Sequence, residues 1–242
     1  MRLFLLCFLC ALLALAARAN DRDLSASDQR KQLQHEKFLQ EHPGSAAAHA
    51  SYAEFLSKHN NLRAAIAHWR TAQQLAPENA AIANSLGGAY LRMGKAAASA
   101  AEFARAIGLE GSNAAYHFNL ANVEFMLRHD LTAAWKMELP DVLRLALAEF
   151  REAARLSPND LEYARAYAET FYGIPDANWS EAEAAWKHVL TLSPQGDFVY
   201  LHLTRVSLKQ GDAAGARQFL AKIVDARHDG LKRKLQAQAD RL

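Results

Sequence analysis

From residue 46 onward the sequence repeats itself at a spacing of about 34 residues, and such a period constrains a fold more than any single residue does. Residues 46–79 read AAAHASYAEFLSKHNNLRAAIAHWRTAQQLAPEN and residues 80–113 read AAIANSLGGAYLRMGKAAASAAEFARAIGLEGSN, in register and without a gap. In the second copy Ile82, Leu86, Ala89 and Tyr90 recur at helical spacing, and Ala100, Phe103, Ala104 and Ile107 do so again further on. Each copy is therefore expected to be a pair of short amphipathic helices. A third copy, 114–160, carries about 13 extra residues between its helices before Ala146, Phe150, Ala153 and Pro158 restore the frame. A fourth, 161–196, has Tyr167, Ala168, Phe171, Ala182, Trp186 and Pro194, with about two extra residues between Gly173 and Trp179. The fifth, 197–227, keeps Leu203, Gly211, Asp212, Ala216 and Leu220 and loses the pattern after Ile223.

The ends are expected to differ from the repeats. Residues 31–45 contain FLQEHPG, which resembles the second half of a copy, residues 20–30 read as a flexible start, and residues 228–242 read as a capping helix. Pro77, Pro158 and Pro194 fall where second helices should stop, because proline lacks an N–H and disfavours helix in the residue before it. Trp69, Phe103, Phe150 and Trp186 place one aromatic in each second helix among small alanines, as core plugs. One helix pair cannot bury its apolar stripe alone, so stability must come from stacking neighbours.

Particular residues carry a family resemblance. Leu86, Gly87, Tyr90, Phe103 and Ala106 of the second copy, with Ala65, Trp69, Ala72 and Pro77 of the first, stand where the tetratricopeptide repeat (TPR) has its Leu-Gly, Tyr, Ala, aromatic, Ala and Pro. The sequence resembles the TPR family over residues 31–227, with departures at Ser99, Gly111 and Glu124, where the pattern has Ala, Pro and Tyr. The resemblance implies an all-α fold, a right-handed α-solenoid of about five helix-turn-helix units with flanking terminal helices. It also implies a concave groove lined by the first helix of each repeat. Those positions hold Asn84, Leu91 and Arg92, then Phe118, Asn122, Phe125 and Met126, then Arg165, Glu169 and Tyr172, then Phe198, Leu201, Arg205 and Leu208. Asparagine amides donate to and accept from a peptide backbone, and aromatics offer apolar anchors. The expected partner is a protein or peptide segment. TPR clamps for acidic chaperone tails use Lys and Asn on the first groove helix, where this sequence has Ala50 and Glu54.

The N-terminus bears on compartment. Met1 and Arg2 give a positive start, residues 3–17 are all apolar, and Ala17-Arg18-Ala19 is an A-x-A site followed by polar sequence. This reads as a secretory signal peptide over residues 1–19, and the apolar run is short for a membrane span. The expected location is a bacterial periplasm, with secretion or an uncleaved membrane anchor as alternatives. Cys7 and Cys10 would leave with the leader, so the mature chain would have no thiol, in keeping with an oxidising compartment. The full sequence has 28 Lys and Arg, of which Arg2 and Arg18 lie in the leader, so the mature chain would keep 26 against 26 Asp and Glu. A neutral chain whose one basic cluster is Lys232-Arg233-Lys234 does not read as a nucleic-acid binder.

Motifs for catalysis are missing from the sequence: it has no H-E-x-x-H, no G-x-S-x-G, no Gly-rich phosphate loop and no paired-carboxylate motif. His49 and His117 fall at packing positions, and His68, His188 and His202 have no acidic or histidine partner at ligand spacing. No metal, cofactor or enzymatic activity is expected. The reading is an exported, non-catalytic TPR adaptor that binds a polypeptide segment. A structural solenoid of the cell envelope and a membrane-tethered accessory subunit are the alternatives.

The extra residues of the third copy, DLTAAWKMELPDVLRL at 130–145, are too apolar for an idle loop because of Trp135, Met137 and Leu139. Pro140 and Asp141 suit the first turn of a helix. The segment is expected either to fold back over Phe125 and Met126 or to form a wall of the binding site.

Overall fold

The computed structural model describes residues 24–194 and 196–242, and the expected leader lies outside the described residues. The described chain is all helical, thirteen α-helices joined by short turns, with contacts chiefly between helices adjacent in sequence. We number them α1 (Ala26–Glu41), α2 (Ala46–Lys58), α3 (Leu62–Leu75), α4 (Ala80–Arg92), α5 (Ala96–Leu109), α6 (Ala114–Met126), α7 (Arg128–Trp135), α8 (Leu139–Leu156), α9 (Leu161–Thr170), α10 (Trp179–Leu192), α11 (Asp197–Lys209), α12 (Ala213–Ala221) and α13 (Asp229–Ala239). Contacts divide the chain into two compact units, Met1–Val123 and Glu124–Leu242.

The turns explain why the helices begin and end where they do. Asn61, Asn79, Asp160, Asn178 and Asp212 each cap the following helix, the side-chain oxygen accepting from a backbone N–H of its first turn. Between first and second helices, three repeats use one left-handed residue at the same repeat position: Asn60 (φ 60), Gly94 (φ 67) and Gly211 (φ 77). Residues 26–30, expected to be part of a flexible start, are helical instead. Ser25 Oγ accepts from Asp28 N and opens α1, a local cap outside the 34-residue frame.

In the first unit Tyr52, Leu56, Trp69 and Leu86 pack among Ala53, Ala65 and Ala72 in one buried cluster. Phe103, 2% exposed, lies against Gly87, where an added Cβ would sit 2.9 Å from its ring. Ser99 stands where the pattern has alanine and is fully buried, its hydroxyl donating to Gly87 O at 2.8 Å. Successive repeats are also tied by polar staples: Arg105 donates to Pro77 O at 2.8 Å, and Arg92 to Ser57 O at 2.9 Å.

In the second unit Trp186 is the central plug, surrounded by Ala164, Ala168, Phe171, Val189 and Leu203. His188 occupies the repeat position of Arg105 and makes the matching contact, bonding to Pro158 O at 2.7 Å. The extra residues of the third repeat form α7 and extend α8 rather than making an irregular loop. Lys136 takes a left-handed conformation between them (φ 55), and Pro140 lies in the first turn of α8. Leu131, Val142 and Leu143 are the residues this segment buries.

Candidate functional site

On the first unit the groove positions are held by α4 and the start of α6. Asn84 accepts from Asn119 Nδ2 at 2.8 Å, so the two amides brace neighbouring first helices and each keeps spare hydrogen-bonding capacity. Phe118 and Asn122 are half-buried. Arg92 differs. Its guanidinium is taken up by Ser57 O, Ser57 Oγ at 2.7 Å and Asn60 Oδ1 at 3.2 Å, a fixed brace on the preceding turn.

The second unit carries the rest. Phe125 packs edge-on against Phe150, with the Arg128 guanidinium over its ring at 5.5 Å. Met126 stands 65% exposed, so the inserted segment does not cover it. Trp135, Met137 and Leu139 are each half-buried. Arg165 pairs with Glu169 at 2.9 Å and lies over the Phe198 ring at 4.8 Å. Tyr172 donates to His202 O at 3.2 Å, and its oxygen lies 3.1 Å from His202 Nδ1. The Tyr172 and Phe198 rings flank His202, whose own ring stacks on Trp186 at 4.0 Å. Leu201 is a correction to the groove reading: it is only 3% exposed, packed with Leu220, Ile223 and Leu235, because α13 docks on that stretch of α11.

Buried titratable groups show where polarity has been forced inside. Burial, with Arg205 and Arg165 adding like-charge repulsion, pushes His202 down to about 3. Burial likewise lowers His68 to about 3, with His49 contributing. These two histidines lack partners in sequence spacing yet meet in space, Nδ1 to Nδ1 at 3.0 Å. His49 Nε2 faces Pro43 O at 3.3 Å and must donate to it, so the shared proton belongs to His68 Nδ1. Glu124, at a position where the repeat has Tyr, is 4% exposed and raised to about 8 by burial and then by Glu149. Among the described residues no group of three His, Cys, Asp or Glu is placed to hold a metal ion.

Each unit thus has its own candidate surface: amides and the Phe118 ring on the first, cations and partly exposed rings on the second. The solved structure of YrrB, described as a TPR protein with an unusual peptide-binding site, overlays 86% of this chain and 98% of its own with a TM-score of 0.67 at 20% identity. This chain has the TPR fold. PilF of Pseudomonas aeruginosa is similar over 96% of this chain and 99% of its own (TM-score 0.58, 16% identity), and MamA over 80% and 94% (TM-score 0.60, 13% identity). No protein-family model matches the sequence, and no curated protein matches it significantly. At these identities the likeness is one of TPR architecture.

Sequence reasoning missed Lys209, which occupies the thirteenth position of its repeat and lies 5.7 Å over the Trp179 ring. Its repeat position was the available signal. Gln238, on α13, stands beside it in a cavity and had none, since α13 lies outside the period.

Proposed function

We propose that this chain is an exported, non-catalytic TPR adaptor that holds an extended segment of a partner protein on the first-helix faces of its repeats. The observation that carries the reading is that large apolar side chains stay open on the second unit: Met126 (65% exposed) and Phe198 (38%) on first helices, and Tyr172 (36%) in the 3-10 turn Phe171–Gly173 that follows α9. Such side chains, with Arg165 and Arg205 on the same unit, are the materials of a peptide interface, and the first unit offers its own amides at Asn84, Asn119 and Asn122. YrrB's description as peptide-binding is in line with this, and the leader pattern at residues 1–19 motivates the assignment to an exported compartment.

Two measurements test it. N-terminal sequencing of the protein from an envelope fraction is expected to begin at Asn20; a membrane-bound form still beginning at Met1 would replace the soluble adaptor with a tethered subunit. In crosslinking and pull-down from that fraction, Phe118→Ala, Asn122→Ala and Tyr172→Ala should lose the captured partner while melting within a few degrees of wild type. A truncated interface aromatic commonly costs about 2 kcal/mol or more in binding. Equal capture by all three variants would refute the groove assignment.

A further inference from the structure

The face of the second unit that carries Tyr172 and Arg205 is closed on one side by the chain itself. Leu231 and Leu235 of α13 pack in one cluster with Leu201 and Leu208 of α11. Beside this closure a cavity of 330 Å³ remains, lined by Tyr172, Arg205, Leu208, Lys209, Gln238 and Leu242. Its charged side chains, Arg205 and Lys209, are both cationic. Arg205 is half-buried and has no hydrogen bond or ion pair among the described residues. Lys209 has its ammonium over the Trp179 ring and no carboxylate beside it. A nearby side-chain carboxylate, Glu169, already accepts from Arg165, and the Tyr172 hydroxyl is engaged with His202. Burial keeps His202 neutral, so it neither adds to nor cancels this charge.

A half-buried guanidinium with no protein partner among the described residues is free to receive an anion, and its planar N–H fork matches the two oxygens of a carboxylate. Leu208, Leu242 and the Tyr172 ring supply apolar walls around it. We propose that this cavity receives the carboxylate of an Asp or Glu side chain in the bound segment, with an apolar neighbour of that residue against Leu208 and Tyr172. Arg205 supplies the fork, and Lys209, held over Trp179, supplies the second positive charge. The proposal rests on the peptide-adaptor reading and adds the identity of one anchored residue.

The test is selection of a random octapeptide display library on the purified protein, followed by titration of one enriched synthetic peptide. Enriched peptides are expected to share an Asp or Glu next to an apolar residue. Replacing that Glu by Gln should weaken binding about tenfold or more, Arg205→Gln should do the same, and the two changes together should cost little more than either alone. Arg205→Gln should melt as wild type does, since it breaks no internal bond. Enrichment of neutral peptides, or unchanged affinity in Arg205→Gln, overturns the carboxylate site and leaves the adaptor standing. Tighter binding of a phosphoserine peptide than of its Glu counterpart overturns it in favour of phosphopeptide recognition. No enrichment of any peptide overturns both readings.

Discussion

The two units seat the aromatic of a second helix in opposite ways. In the first, Phe103 fits because its neighbour has no side chain: Gly87 leaves room for the ring and takes a hydrogen bond from Ser99 through its carbonyl. In the second, Trp186 is covered by a polar ring, His202, stacked 4.0 Å away at 11°. Removing atoms gives a seat that is tight and indifferent to pH. Adding an imidazole gives one that holds only while the imidazole is neutral, and which links the core to Tyr172 on the exposed face. A repeat pattern that specifies only an aromatic at this position leaves both solutions open.

The largest expected effect comes from emptying the second seat. Trp186→Ala should destabilise by about 3–5 kcal/mol, read by chemical denaturation, and should loosen His202 and Tyr172 with it. A loss below about 1 kcal/mol would mean that the site collapses freely and that the stack is incidental.

Acid should loosen both units next, each at its own buried histidine. His202 and His68 both have folded values of about 3, below the ordinary 6.5, so the unfolded chain binds more protons in between. Their contribution is whole above pH 6.5 and is lost as pH falls toward 3, at about 1.4 kcal/mol per pH unit for each group. Hydrogen exchange should show protection falling around α10 and α11 through His202, and around α2 and α3 through the His49–His68 pair. His202→Leu should flatten the first of these responses and leave the second. If both segments kept full protection at pH 4.5, the assignment of neutral buried histidines would be wrong.

Filling the first seat is a smaller perturbation. Gly87→Ala should cost about 1–3 kcal/mol, because the new methyl meets the Phe103 ring itself rather than a movable chain end. Its neighbour is the control and the smallest effect. Gly88 has nothing within 4 Å of an added Cβ and sits inside α4, so Gly88→Ala should stabilise by about 0.5–1 kcal/mol. Equal responses at Gly87 and Gly88 in thermal melts would remove the steric account of the Phe103 seat.

Much of the fold was legible because it is written many times. The period places Trp69, Phe103, Phe150 and Trp186 in second helices, and all four are buried. The histidines were less legible. The His49–His68 bond joins residues 19 apart on two helices, a meeting set by how α2 packs on α3 rather than by any spacing motif. The groove positions are readable as positions, but their state depends on what lies across from them: Arg92, at the thirteenth position and the end of α4, reaches the preceding turn as a brace, while Arg205, at the ninth position inside α11, has no partner among the described residues. Leu201 falls at a groove position and is buried because α13, which follows no period, folds over it.

The staples between neighbouring repeats bear on how this chain finds its structure. Those from Arg92 to Ser57 and from Asn119 to Asn84 bridge 35 residues, and that from His188 to Pro158 bridges 30. Each closes a loop of roughly one repeat, so every closure costs a similar and modest entropy, and none waits for a distant part of the chain. Within either unit, folding can therefore start at whichever helix pair forms first and spread outward one neighbour at a time, as low contact order favours. The kinetic trap of such a chain is misregister: a helix pair docked on a neighbour one repeat too far, where Phe103 would meet a residue other than Gly87.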